Sequence, residues 1–361
     1  MQNFREVSML PIKAVGASGT ETIDLAVTEP LTSLYVEFAA TNGAAVAKDV
    51  PPGHCIDKIE IVDGSQVYWS TSGPEAIAAA VYESNVWPAH WYDELANHGQ
   101  NITIPLNFGR FLGDEEFAFS PSRLLNPQIK VTWTRNALHT TTGYTLGVKV
   151  KAMQGVTPPA KALMVRNIRT FTTAASGIES TDLPVDLDYR RLYVRAYHAN
   201  FFWVMMLTHL KLDCDVGKLI VFDGSQYELL EMVQAVFPSV DVGMLTSCDS
   251  NIWHEGWLGN IAAASLGFNQ GSIIGDAWHA SAGRWQSIVA DHDGSLTTGK
   301  SAAVSVRGWM PQTALCYQFG RSQDPASWFK ASNYGQVRLE LTQGSADKSI
   351  NILLQRPTTF P

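Results

Sequence analysis

Few residue groups in the sequence have types and spacing that could hold a metal ion. Asp291-His292-Asp293-Gly294-Ser295 resembles the start of a calcium loop. It lacks the third acidic ligand and the distal glutamate of such a loop, so a solvated turn is the better interpretation. Cys248, His254 and Glu255 lie close together in sequence but do not have the spacing of zinc ligands. We therefore predict no metal site and no cofactor.

Groups that could act in catalysis are equally sparse. The adjacent Glu115 and Glu116 fall in a polar turn, where solvation is a better explanation than acid–base chemistry. The sequence contains no nucleophile elbow, dinucleotide fingerprint, phosphate-binding loop or His-Glu-x-x-His helix. We predict no catalytic residue and expect that the protein is not an enzyme.

Four of the eleven tryptophans lie in one long segment, at about 239–303, which is rich in Gly, Ser, Trp and His. Trp253, Trp257, Trp278 and Trp285 of this segment could stack on sugars or form an outer, receptor-binding surface. A long irregular insertion in a β domain is typical of a functional surface loop. The alternative function is a carbohydrate-binding or glycan-hydrolysing two-domain β-sandwich protein, although no carboxylate pair stands out.

The elements that would position these residues occur twice. Asp63-Gly64-Ser65-Gln66 returns as Asp223-Gly224-Ser225-Gln226, and Phe108-Gly109-Arg110 returns as Phe319-Gly320-Arg321. Gln128–Thr134 returns in pattern as Gln336–Thr342, with the alternation of a strand that has one buried face. We call the two tripeptides and the two Asp-Gly pairs the repeat anchors. Each Asp-Gly pair predicts a hairpin turn with positive φ.

The pattern predicts an all-β fold of two tandem jelly-roll sandwiches, 1–157 and 158–361, joined by a proline-containing linker. Each half has one short helix. Ser72-Gly73-Pro74-Glu75 is a capping-type start for the first, which we expect to reach about Glu83. The second runs through Tyr227 to Val233 and stops before Pro238. The segment at about 239–303 would be a long loop insertion in the second jelly roll.

Composition limits the remaining function classes. The 361 residues are enough for two cores, and the chain is 45% hydrophobic and 17% charged with a net charge of −8. No basic face is evident, so we expect no direct nucleic-acid binding. A group of arginines opens the second half and forms either a solvated or salt-bridged band or a contact with anionic lipid headgroups: Arg166, Arg169, Arg190, Arg191 and Arg195. The four cysteines are widely spaced, typical of core residues in a reducing compartment, and the first residues do not read as a signal peptide.

The sequence resembles the double jelly-roll major capsid proteins of tailless, membrane-containing icosahedral viruses. It is most similar to those of the bacteriophage branch, the corticoviruses and related small lipid-containing phages. The N-terminal segment Met1 to Pro11, followed by a Gly/Ser turn, is similar to the start of these proteins. The strand–Asp-Gly–strand–helix unit occurs once per jelly roll in them. The segment from Arg166 to Tyr189 resembles the opening of their second jelly roll.

The resemblance implies a structural function. It implies homotrimers of pseudo-hexagonal outline that tile an icosahedral shell over an internal membrane. The implied partners are other copies of the chain, neighbouring trimers, vertex (penton) and minor capsid proteins, and the internal membrane. The implied location is the virion, after synthesis in the host cytoplasm. A duplicated domain fits this assembly physically, because three copies then present six similar edges.

Overall fold

The computed structural model describes residues 3–44, 51–135, 141–198, 201–248, 252–255, 257–268, 273–280, 284–291 and 300–361. The first half has nine strands and one α-helix in this part of the chain. The strands are β1 Asn3–Val15, β2 Ser18–Asp24, β3 Leu31–Asn42, β4 Ile56–Asp63, β5 Gln66–Thr71, β6 His90–Trp91, β7 Gly99–Asn107, β8 Pro127–Thr134 and β9 Thr141–Gln154, and the helix is α1 Gly73–Ser84.

The second half begins with β10 and contains two α-helices and fourteen strands in its described residues. They are β10 Lys161–Thr172, β11 Gly177–Leu183, β12 Arg191–Tyr197, α2 Trp203–Met206, β13 Leu207–Cys214, β14 Leu219–Ser225, α3 Gln226–Val236, β15 Val240–Cys248, β16 Ile252–Glu255, β17 Leu258–Phe268, β18 Ile273–Ala280, β19 Arg284–Asp291, β20 Lys300–Pro311, β21 Ala314–Gln318, β22 Val337–Gln343 and β23 Ser349–Thr359.

The two halves share one strand topology. The first half has the sheet orders β1-β9-β3-β7, extended by β6, and β2-β8-β4-β5. The second half has the orders β10-β23-β12-β21 and β11-β22-β13-β14. Strands of equivalent chain position therefore occupy equivalent places, and each half is a jelly-roll sandwich of two four-stranded sheets. The predicted tandem jelly-roll fold is confirmed.

The register of the strands agrees between the halves as well. Leu34 of β3 lies opposite Val150 of β9, and Leu192 of β12 lies opposite Leu354 of β23. Both leucines begin a Leu-Tyr-Val triplet, a fourth sequence repeat beside the three described above. The β-bulge between Ser8 and Leu10 of β1 has a counterpart between Asn167 and Arg169 of β10. A shared bulge fixes the residue-by-residue correspondence of these two strands.

Alternating side chains bury one face of the strands predicted from the Gln128 and Gln336 segments. In β8, Ile129, Val131 and Trp133 are buried, and their neighbours are more exposed. In β22, the corresponding residues are Val337, Leu339 and Leu341. All four jelly-roll sheets contribute buried apolar residues to one continuous core cluster that extends across both halves. Phe117, Leu163 and Trp328 form a second, small cluster.

Both predicted helices begin at capping boxes. Ser72 accepts from the Glu75 backbone amide at 3.4 Å, and the Glu75 carboxylate accepts from the Ser72 amide at 2.7 Å. Ser225 and Glu228 repeat this arrangement at the start of α3, with the same two distances. Each box satisfies amides that the first helical turn leaves without partners. The helix predictions are confirmed, with α1 ending one residue later than expected.

The two Asp-Gly pairs are not equivalent in structure, so the prediction of a turn at Asp223-Gly224 is wrong. Gly64 has φ 58° in the turn between β4 and β5. Asp223 and Gly224 instead lie inside β14, opposite Lys211 and Leu210 of β13, and Gly224 does not have a positive φ. The second Asp-Gly pair ends a strand because the capping box of α3 begins at the next residue.

The true counterpart of the first turn is Asp215–Lys218, between β13 and β14, where Gly217 has φ 87°. Asp63 accepts from the backbone amides of Leu125 and Asn126, just before β8. Asp215 accepts from the amides of Gly335 and Gln336, just before β22, and these hydrogen bonds lower the pKa of its carboxyl. Each aspartate thus ties the hairpin turn to the loop that enters the neighbouring strand.

The inserted segment is largely strand, which corrects the expectation of an irregular loop. Its strands form two three-stranded sheets, β15-β20-β17 and β16-β19-β18. Val242 and Val306 are fully buried where β15 pairs with β20. Small residues in β17 weaken the alternation that marks a strand in sequence, so this pairing was not visible.

Candidate functional site: the junction between the halves and the inserted strands

The junction between the halves is built around α1. This helix is apolar on nearly every side and almost completely buried, which is expected only of a helix with neighbours all round. Tyr82 donates a hydrogen bond to the Ala314 carbonyl at 2.6 Å, and its ring packs against Tyr193 and Phe237 of the second half. The helix α1 of the first half therefore packs directly against residues of the second half.

At the end of α1, a buried ion network links the halves. Glu83 receives two hydrogen bonds from Arg190, at 2.6 and 2.8 Å, and one from Arg191 at 2.7 Å. The side chains of Arg190, Arg191 and Glu83 are 0%, 3% and 9% exposed. Ser322 and Gln355 complete the hydrogen bonding of Arg190. Buried charges of this kind require each other, because either one alone would be unpaired in the interior.

The electrostatics of the network favour its charged form. Burial alone would raise the pKa of Glu83, but Arg191 and Arg190 outweigh burial and hold that pKa below its usual value. Burial likewise opposes the charge of Arg191, and Glu83 restores it, so that its pKa is raised. The arginine band is therefore salt-bridged at these two positions. Contact with lipid headgroups is excluded for Arg190 and Arg191 because both are buried.

A strand pair and the chain end complete the junction. β5 pairs in parallel with β10 at Ser70 and Arg166, which joins one sheet of each half into an eight-stranded sheet. Asn167 of β10 donates to the Glu75 carboxylate of α1 at 3.0 Å. Phe360, at the end of the second half, packs against Tyr68 of the first, with ring centroids 5.3 Å apart. The strand β10 thus contacts both β5 and α1 of the first half.

The tripeptide anchors take equivalent positions directly after β7 and β21. Phe108 and Phe319 are both buried. A side chain on Gly109 would place its Cβ 2.7 Å from the Phe117 carbonyl oxygen, and one on Gly320 would place it 2.1 Å from the Ser327 carbonyl oxygen. Both glycines are therefore required by close backbone approach.

The arginines of the two tripeptides have different partners. Arg110 forms a bidentate pair with Asp114 at 2.7 and 2.8 Å and also contacts Glu116. These partners raise the pKa of Arg110 and, despite burial, hold that of Asp114 below its usual value. Arg321 uses its backbone amide instead, which donates to Ser327 Oγ at 2.8 Å.

The structure separates the four tryptophans of the insertion. Trp257 is only 3% exposed and packs edge-on against Tyr92 and His54 of the first half. An outer-surface role for Trp257 is therefore wrong. Trp253 and Trp278 both lie opposite Gln286 of β19, while Trp285 lies opposite His254 and His279. The backbone thus gathers these three in the sheet β16-β19-β18, and their surface role stays a prediction.

The remaining candidates show little chemistry. Asp291 ends β19, and the other residues of the suggested calcium loop lie outside the described residues, as do the side chains of Cys248, His254 and Glu255. Across the described ranges, no three His, Cys, Asp or Glu side chains are grouped to hold a metal ion. Cys55, Cys214 and Cys316 are buried free thiols, and burial raises the pKa of Cys316 to about 12. Such thiols are unreactive. No helix in the described part of the chain is long and apolar enough to cross a membrane.

The two jelly rolls of equal topology and the junction between them define a double jelly roll. Solved structures with this shape cover nearly the whole chain. The major capsid protein from bacteriophage PM2 matches with a TM-score of 0.57 at 10% identity, over 99% of this chain and 98% of that one. A chain of Sulfolobus Turreted Icosahedral Virus matches with a TM-score of 0.59 at 11% identity, over 99% and 91%. PBCV-1 VP54, fitted into a reconstruction of the virophage Sputnik, gives 0.57 at 11%, over 99% and 94%.

Sequence comparison adds nothing to this likeness. No family model matches the chain, and no curated protein matches it. The likeness to capsid proteins therefore concerns the fold.

Proposed function

We propose that this protein is a major capsid protein, a structural protein whose trimers tile an icosahedral shell. The observation that carries the proposal is the complete duplication of the jelly roll within one chain, with the fold of solved capsid proteins along its whole length. Three copies of such a chain present six similar jelly rolls around one axis, which suits packing in a hexagonal net. The division into 1–157 and 158–361 is part of this proposal.

The proposal extends to partners and location. The protein would act in the virion of a tailless bacteriophage, after synthesis in the host cytoplasm, and without enzymatic activity. Its partners would be its own copies, neighbouring trimers, vertex and minor capsid proteins and an internal membrane, with no direct contact to nucleic acid. The net charge of −8 supports the last point, because nucleic-acid binding requires a basic surface.

The carbohydrate-binding alternative has no specific observation in its favour. It depended on exposed tryptophans in the insertion, and Trp257 is buried against the first half. Trp253, Trp278 and Trp285 are compatible with a receptor-binding surface on a capsid, which a glycan array with the purified full-length protein would test.

Light scattering on the purified protein, with negative-stain images of the same sample, tests the proposed function. We expect a mass three times that of the 39.6 kDa chain and particles with six corners. A monomer that persists at high micromolar concentration, with no particle formation in crowding agents, would contradict a shell-building role.

A further inference from the structure

Within the chain, the first half contacts the second half through β5 and α1. The second half has a counterpart of this surface. By strand position, β14 and α3 correspond to β5 and α1. β5 is paired with β10, whereas β14 is an edge strand of its sheet in the described part of the chain. α1 is buried, whereas Tyr227, Met232 and Val236 of α3 are 60%, 42% and 55% exposed. One of two equivalent surfaces is thus covered and the other is open.

The open surface forms a groove. It has a volume of about 470 Å³ and lies between β14 and α3, lined by Phe222, Glu228, Leu229, Glu231 and Met232 among others. At the corresponding place in the first half, β10 lies alongside β5, and Asn167 of β10 donates to the capping glutamate Glu75. Glu228 is the capping glutamate of α3 and lines the open groove in the same way.

The counterpart of β10 is β1. Among the strands that the structure describes, β1 is also an edge strand, and most of its residues are exposed. The shared bulge aligns Ser8 of β1 with Asn167 of β10. The chain therefore has one open groove of the junction type and one open strand of the type that fills it. The junction within the chain covers neither this groove nor β1, because it is formed by β5, α1 and β10.

We infer that β14 and α3 bind β1 of a second copy of this chain, in the arrangement by which β5 and α1 contact β10 within the chain. Ser8 of the second copy then lies beside Glu228, as Asn167 lies beside Glu75. The contact is head-to-tail, so its repetition produces a ring of chains if the rotation closes. This inference rests on the proposed function, since it states which surfaces hold the trimer together.

A second pair of surfaces supports the same arrangement. Val236 follows Glu228 by as many residues as Glu83 follows Glu75, so Val236 takes the place of the buried glutamate. Glu83 reaches its arginines beside Ser322, the residue after the second tripeptide anchor. The residue after the first anchor is Phe111, which is 51% exposed, and Leu112 beside it is 54% exposed. In the inferred contact, Val236 of one copy therefore lies against Phe111 and Leu112 of the next. The equivalent place in the junction within the chain is occupied by Glu83 and its arginines.

Cross-linking tests the predicted contact between β1 and the groove. Glu231, which also lines the groove, is replaced in place of Glu228, because Glu228 belongs to the capping box of α3. The double variant Ser8→Cys, Glu231→Cys, with Cys248→Ser to remove background reaction, is treated with a short bismaleimide. A disulfide is too short, because Asn167 and Glu75 meet through long side chains. We expect covalent trimers from the double variant. An equal mixture of the two single variants should stop at covalent dimers, and each single variant alone should stay monomeric.

Ser8→Cys with Leu125→Cys is the matched control, since Leu125 is 99% exposed, lies in the first half beside Asp63 and does not line the groove. Cross-linking of this control to the same extent would show nonspecific reaction and overturn the inference. Absence of cross-links in the Ser8→Cys, Glu231→Cys trimer would also overturn it and leave the groove for another occupant.

Val236→Arg provides a second test that does not depend on cross-linking geometry. Its side chain is exposed in the single chain, so folding should be retained, as circular dichroism would show. We expect the trimer dissociation constant to rise by about tenfold or more, because a central apolar contact is replaced by a charge. Leu125→Arg should leave the mass unchanged. If the parent protein is a trimer and Val236→Arg is an equally stable one, the inference fails and the capsid function stands. If the parent is a monomer, the proposed function itself fails.

Discussion

At the scale of single residues, Glu83 is the most consequential side chain of the junction. It neutralises two arginines that have almost no access to solvent, and those arginines belong to the other half of the chain. Surface ion pairs contribute little to stability, whereas removal of one partner from a buried pair leaves an uncompensated charge in the interior. The contact therefore acts as a requirement for docking the halves in one arrangement.

We expect Glu83→Gln to reduce the free energy of unfolding by about 3–5 kcal/mol, the cost of leaving buried arginines without their counter-charge. Chemical denaturation followed by tryptophan fluorescence measures this loss. Glu60→Gln is the control, because Glu60 pairs with the half-exposed Lys58 at 2.8 Å and should change stability by less than about 1 kcal/mol. Similar losses in the two variants would show that burial of the network has no energetic effect.

The same residue predicts a pH dependence. The pKa of Glu83 is held below its ordinary value of 4.5 in the folded protein, so ionised Glu83 stabilises the fold above pH 4.5. That contribution is lost as the pH falls below 4.5 and through the folded-state pKa. Thermal melts at stepped pH should therefore show a steeper acid loss for the parent protein than for Glu83→Gln. Parallel curves for the two proteins would exclude a coupled Glu83.

At the scale of elements, the sequence located the two longer helices and the strongly alternating strands, but neither the inserted strands nor every equivalence between the halves. The alternation in the Gln128 and Gln336 segments located β8 and β22. The capping-type start at Ser72 located α1, and the segment from Tyr227 to Val233 located α3, because these signals are local. The shared tetrapeptide led to the wrong prediction of a turn at Asp223-Gly224, because Asp-Gly suits both a hairpin turn and the end of a strand before a helix cap. The counterpart of Asp63 is Asp215, which is recognisable only from its hydrogen bonds to Gly335 and Gln336.

A glycine series distinguishes the true turns from the false one. Gly64 and Gly217 have φ 58° and 87°, and an added Cβ would meet nothing within 4 Å at either position. Alanine there should cost about 1 kcal/mol through backbone strain alone. Gly224→Ala should be neutral or slightly stabilising, because Gly224 lies in a strand and alanine restricts the unfolded chain. Differential scanning calorimetry of the three variants measures this order, and an equal loss for Gly224→Ala would restore the second turn.

At the scale of the whole molecule, the junction within the chain and the inferred junction between chains share one geometry but differ in chemistry. The junction within the chain contains the ion pairs of Glu83 with Arg190 and Arg191. The inferred junction instead packs the exposed Val236 of one copy against the exposed Phe111 and Leu112 of the next. The sequence alone could not show this difference, because burial of the arginines and exposure of the apolar residues depend on the fold. The difference has a physical use: subunits that meet through apolar surfaces can associate after each chain has folded around its own ion pairs.

This contrast predicts the response of the trimer to salt. Apolar contacts are not screened by ions and are strengthened by excluded salts, whereas ion pairs between exposed groups weaken as the Debye length shrinks. The trimer fraction at fixed protein concentration should therefore be unchanged or higher when sodium chloride is raised from about 0.1 M to about 1 M. Sedimentation velocity across this range measures it. Val236→Arg provides the comparison, because its residual association should not gain from salt in the same way. Dissociation of the parent trimer at high salt would show that charged contacts dominate between chains, and the apolar pairing of Val236 with Phe111 would then be wrong.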